Sequence, residues 1–290
     1  MTNLTQQTPP LQPAPPAQPR SGAARPIMIT TAIAGGLVLF TAGASAAFGV
    51  GEPMSARSGE LSTSADAEGI TGLDLDLRAG NVTLEYASVS EAKLEVTGPG
   101  SERWGMRRDQ NTLVVESPRL SSGFCFLGIC PDGRRNGLTT VTLTLPQKFQ
   151  RTALNVDVEL AAGDFRADGT FGELSLDLGA GEATVSGSAR TLDVSVHAGD
   201  YSIDLADVAR AGFETAAGSG TAQLTGKAPV DIDIEISAGS LDLTIPDVEY
   251  RLDSSVTAGD IASQIRTSQT SQNRIEASVA AGEIVLRPGK

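Results

Sequence analysis

The chain has 290 residues, 40% of them hydrophobic, enough for a buried core and too many for a chain disordered throughout. Aromatics supply only 4% while Gly reaches 32 residues, a mixture that argues for many tight turns and thin aliphatic layers rather than one thick globular core. The net charge of -13 sits mainly in the C-terminal half, where residues 151–290 carry 22 acids against 10 bases; a nucleic-acid backbone or an anionic lipid surface is therefore a poor partner, and cations or basic surfaces are better ones.

In chain order, residues 1–26 contain seven prolines with Gln, Thr and Ala, and their only charges are Arg20 and Arg25. Such a segment cannot bury a core and is expected to be a disordered cytoplasmic tail. Residues 27–50 carry no charge and are about long enough to cross a bilayer as one helix. The two arginines before it and Glu52 after it predict a single-pass membrane protein, N-terminus inside, with its C-terminal part extracytoplasmic. A cleaved signal peptide is the competing reading, because Ala44-Ser45-Ala46 has the small-residue pattern of a cleavage site. The long N-terminal region and the length of the apolar run favour the retained anchor. Residues 51–68 read as a linker, and 69–290 as one extracytoplasmic domain.

Within that domain one signal dominates. Glycines at 80, 163, 181, 199, 218, 239, 259 and 282 each follow an Ala, and after the first gap they recur at spacings of 18, 18, 19, 21, 20 and 23. Residues seven, five and three before the Gly are mostly aliphatic, as in Leu174, Leu176 and Leu178, or Ile232, Ile234 and Ile236; those six and four before it are polar or acidic, as in Asp157 and Glu159, or Asp233 and Glu235. Period-two alternation means a strand with one buried face. It resumes after the Gly in Tyr201, Ile203 and Leu205, so the dipeptide marks a bend that Gly permits through positive φ. A unit this small buries its aliphatic residues only by stacking, which predicts an all-β, parallel β-solenoid (β-helix) with rungs of about 20 residues. In sequence order its terminal rung would be Ile284 to Leu286. Residues 81–150 interrupt the repeat, yet Ala92–Val96, Leu113–Glu116 and Val141–Leu145 also read as strands. Between the last two lies a loop with both cysteines.

The run VTLTLPQ (141–147), LNVDVELAAGDF (154–165), the successive Ala-Gly-acid units and IPDVEYRLDSSVTAGDI (245–261) resemble the bacterial adhesin-like family known as domain of unknown function 4097. The resemblance covers about residues 69–290 and implies a β-solenoid domain commonly attached to membrane segments. The chain departs from the family in using Ala-Gly where Ser-Gly-Asp turns are commoner, and in its cysteine loop. The family implies no catalytic residues.

Cys125 and Cys130, in FCFLGICPDG, are expected to form a disulfide in an oxidising compartment, holding Phe124, Phe126, Leu127 and Ile129 in shape. The alternative for this apolar loop is a contact site. His197 is the sole histidine, two residues before Gly199 in a column that tolerates many side chains, and reads as a strand-end surface residue. Asp164, Glu182 and Asp200 directly follow their glycines and should stack into an acidic ladder. A ladder of this kind stays solvated or attracts cations, and Ca²⁺ is the candidate ion, although the glycine-rich nonapeptide of calcium-binding β-rolls is missing. Asp233, Asp253 and Glu276 form a second ladder. No cofactor and no catalytic residue is expected. A carbohydrate-active β-helix enzyme would need one convergent carboxylate pair and sugar-stacking aromatics, whereas the acids here recur by repeat and Trp104 is the sole tryptophan. The sequence therefore points to a non-enzymatic, membrane-anchored module that interacts with an envelope protein or wall polymer. The alternative is an envelope sensor signalling through its Pro-rich tail, which deletion of residues 1–24 would silence.

Overall fold

The computed structural model describes residues 59–118 and 139–289. They form β1 (Gly59–Ala65), β2 (Gly72–Leu77), β3 (Asn81–Ala87), β4 (Ala92–Gly98), β5 (Gly105–Asp109), β6 (Thr112–Glu116), β7 (Thr140–Pro146), β8 (Leu154–Leu160), β9 (Gly163–Ala206), β10 (Arg210–Thr225), β11 (Asp231–Ile245), β12 (Glu249–Ser263), β13 (Arg266–Thr267) and β14 (Arg274–Pro288). The expected tail, membrane segment and cysteine pair lie outside the described residues. Among the described residues no helix is long and apolar enough to cross a membrane.

The repeat builds the solenoid as its alternation dictates. Each rung has a leg before the Gly corner and a leg after it, and successive rungs pair in parallel, Gly218 with Gly199 and Gly239 with Gly218. The aliphatic columns of both legs face inward: Leu192, Val194 and Val196 before one corner and Tyr201, Ile203 and Leu205 after it are at most 3% exposed. Each such side chain contributes about 1.5–3 kcal/mol of burial free energy. The corner glycines are forced by stacking as well as by conformation. Gly218 has φ 133°, and a Cβ there would lie 1.7 Å from the carbonyl oxygen of Gly199. Gly220 serves differently, because its missing side chain makes room for the ring of Tyr201 on the adjacent rung, which stacks on Phe213 at 6.2 Å and hydrogen-bonds Thr215 at 3.3 Å.

The order of the rungs departs from the order of the chain at both ends. β2 pairs in parallel with β6 on one side and β8 on the other, and β3 likewise lies between β7 and β9. Residues 81–150 therefore interrupt the repeat in sequence only: β6 and β7 make a further rung outside β2 and β3. Thr139 abuts Gly80, the corner of the adjoining rung of β2 and β3. At the other end β14 pairs with β11 and with β12, so it lies between them. The sequence-order expectation that Ile284 to Leu286 forms the terminal rung is thereby corrected. Ile284 and Leu286 are fully buried, and β12 is the outermost rung.

Antiparallel strands complete the first end, with β4 on β7, β1 on β4 and β5 on β6. β1 lies inside the stretch expected as a linker at 51–68. Its sequence GELSTSA escapes the period-two reading because this edge strand buries none of its residues fully.

Candidate functional site

The outward face of the legs preceding the corners carries the densest charge of the domain. Register places Glu116 beside Asp76, Asp76 beside Glu159 and Glu159 beside Asp177, so four successive rungs present a carboxylate in one column. Asp74 and Asp157 stand paired in the adjacent outward column. These side chains point outward because the intervening Leu73, Leu75, Val156 and Val158 are buried. Arg107 on β5 closes the column at one end, 2.9 Å from Glu116 and 3.5 Å from Asp109. His197 approaches Asp177 at 3.5 Å at the other.

The Asp74 carboxyl is held above its ordinary pKa of 3.8 by desolvation and then by the charges of Asp157, Asp76 and Glu116, with Arg107 opposing. Asp74 and Asp157 border an open groove of about 260 Å³ that also involves Thr112, Asn155, Glu173 and Ser175. Gly72 leaves the notch in its floor by offering no side chain between Thr112 and Asn155.

At the opposite end the acids are compensated. Asp233, Glu276 and Asp253 stack in the order β11, β14, β12, with Arg274 and Arg251 in the neighbouring column. Arg251 donates to Asp253 at 2.9 Å, and Arg274 pairs with Glu276 and reaches Asp253 at 3.6 Å. The Asp233 pKa is raised by desolvation, Asp231 and Glu276, against the pull of Arg274.

The ladder of Asp164, Glu182 and Asp200 is brought onto successive rungs, as the contacts of Gly163, Gly181 and Gly199 show. Its members are partly engaged within the chain: Asp164 lies 3.6 Å from Arg166, and Asp200 accepts the Ser219 N–H at 3.0 Å. Among the described residues no group of three or more His, Cys, Asp or Glu side chains is arranged to hold a metal ion. His197 is exposed, as expected for a surface residue, but lies within β9 rather than at a strand end. Sequence reasoning placed its ladders at Asp164, Glu182 and Asp200 and at Asp233, Asp253 and Glu276, and missed the column of Glu116, Asp76, Glu159 and Asp177, of which it noted only Glu159 as an outward acidic position. The available signal was that Asp76, Glu159 and Asp177 each stand four residues before a Gly, whereas Glu116 does not.

A repetitive parallel β-solenoid with outward acid columns defines the class. The chain belongs to the Toastrack family of domain of unknown function 4097, whose model matches residues 58–287. No curated protein matches it. Among solved structures it is similar to a "putative cell adhesion protein" from Clostridium sporogenes, with 14% identity over 80% of this chain and 100% of that one and a TM-score of 0.36. It is similar also to a "putative adhesin" from Bacteroides fragilis, at 12% identity over 79% and 97% of the two chains and a TM-score of 0.38. A "putative lipid binding protein" from Parabacteroides distasonis gives 11% identity over 78% and 96%, with a TM-score of 0.39.

Proposed function

We propose that the chain is a membrane-anchored, extracytoplasmic interaction module of the cell envelope, adhesin-like and non-enzymatic, that presents its acidic face to a basic or cation-bearing partner such as wall polymer. The observation that carries this reading is the column of Glu116, Asp76, Glu159 and Asp177. Carboxylates one strand spacing apart repel by about 1 kcal/mol per pair in water and more near a protein surface. A partner that supplies positive charge relieves that repulsion, so the column favours cationic surfaces and speeds their encounter.

The test is cosedimentation of the full chain, in detergent, with isolated wall polymer and envelope protein fractions at low and raised salt, with and without a calcium chelator. The expected result is salt-sensitive retention that falls several-fold in the variant Asp76→Asn, Glu159→Gln, Asp177→Asn. Loss of retention in chelator would place a calcium bridge between the column and an anionic polymer. Equal retention of parent and variant, or none by either, would overturn the reading.

A further inference from the structure

The terminal rung β12 differs from every rung beneath it. In the register with β14, Leu252, Ser254 and Val256 continue the inward columns of Ile275, Ala277 and Val279, which are at most 1% exposed. Val256 is 45% exposed, and Val230 is the other exposed large hydrophobic side chain among the described residues. β13 covers the outer edge of β12 at Glu249 and Tyr250, where the Ser268 N–H donates to the Tyr250 carbonyl, while the Arg251 N–H bonds inward to Asn273 beside β14. Beyond that point, among the described residues, nothing pairs with the outer edge from Leu252 to Thr257. That edge is long enough to receive a strand and ends at the corner of Gly259.

Its residues are self-complementary. Antiparallel pairing of two copies about Ser254 sets Leu252 opposite Val256 twice, Asp253 opposite Ser255 and Arg251 opposite Thr257, so that apolar side chains meet and no like charges face one another. Centring the pair on Asp253 would oppose two carboxylates, and centring it on Ser255 would set Ser254 against Val256. A two-fold axis through Ser254 also keeps inward-facing residues on the inward side in both copies, because directly opposed residues of an antiparallel pair share a face.

We infer that the occupant of this edge is a second copy of the chain, joined isologously through β12 about Ser254. The association depends only on the described end of the solenoid and not on what the acidic face binds. It gives an envelope module two identical acidic faces, which raises avidity for a repetitive polymer without a new contact.

The register makes the inference testable. At the axis the two copies of residue 254 have Cα atoms about 4.5–5.5 Å apart, within the range that a disulfide spans. The two copies of residue 257 lie six positions apart along the pair, or about 20 Å. Full chain carrying Cys125→Ser and Cys130→Ser is purified in detergent with either Ser254→Cys or Thr257→Cys and oxidised, while the unsubstituted chain is followed by sedimentation over a hundredfold range of concentration. The expected outcome is a disulfide-linked dimer at least tenfold more abundant for Ser254→Cys than for Thr257→Cys, together with a doubling of the unsubstituted mass as concentration rises. A constant monomer mass, a dimer without the cross-link at 254, or equal cross-linking at both positions would overturn it.

Discussion

A corner glycine in this solenoid answers two demands that are usually separate. Gly199 and Gly218 hold positive φ, which any L side chain pays for, and each also sits against the carbonyl of the preceding corner, where a Cβ has no room. The neighbouring backbone cannot retreat, since it is itself fixed by the next rung. Gly218→Ala is therefore expected to lower stability by about 3 kcal/mol or more, the sum of a strained dihedral and a backbone clash. Gly105 is the control, because nothing lies within 4 Å of the Cβ it would gain. Gly105→Ala should change stability by no more than about 0.5 kcal/mol. Urea unfolding of both variants checks the pair, and equal losses would show that stacking does not impose the glycine column.

At the scale of elements, the last strand of the chain is an interior one. β14 offers Ile275, Ala277, Val279, Ile284 and Leu286 to the core, whereas β12 offers Leu252, Ser254, Val256, Ile261 and Ser263 at the same positions. The more aliphatic strand takes the site covered on both sides, and the serine-bearing one takes the end, where a polar terminal rung keeps a repeat array soluble. Ile284→Ala should then cost about 2–5 kcal/mol, while Ile261→Ala, in a rung covered on one side, should cost clearly less. Thermal or chemical unfolding separates them, and the reverse ranking would restore the chain order of rungs. The period was legible because the rung of β2 and β3 and all rungs from β8 onward turn at an Ala-Gly corner. The order was not, because identical corner registers accept any neighbour; only Ser254 and Ser263 hinted at which rung is last. The acidic column was not read either: the sequence put its ladder at Asp164, Glu182 and Asp200, and although Asp76, Glu159 and Asp177 share a place four residues before a Gly, only pairing registers bring Glu116 beside them. The edge strands β1 and β5 were illegible for the complementary reason that their side chains, exposed or half-buried, leave no buried alternation to read.

For the molecule as a whole, a net charge of -13 makes stability a function of pH and salt. Asp74, Asp193 and Asp233 all have carboxyl pKa values raised above the ordinary 3.8, each chiefly by desolvation. In the window between the unfolded and folded values the native state holds more protons than the unfolded one, so stability falls as pH rises through it and stays lower above it. Replacing such an Asp by Asn removes the fall, because the amide does not ionise. Asp74→Asn and Asp193→Asn should both match the parent at pH values below the ordinary carboxylate range and exceed it at neutral pH, by about 0.5 kcal/mol or less at such exposed or half-buried sites. Salt distinguishes the two. After desolvation, Asp74 is opposed by the charges of Asp157, Asp76 and Glu116, which salt screens, so part of its advantage should fade as ionic strength rises. Asp193 owes its shift to desolvation, with Arg210 pulling the other way, and desolvation is not screened. Its advantage at neutral pH should persist or grow in salt. Thermal midpoints across pH at two ionic strengths measure both, and a salt-independent gain for Asp74→Asn would mean that the acidic column is too well solvated to repel itself, removing the physical reason for it to seek a cationic partner.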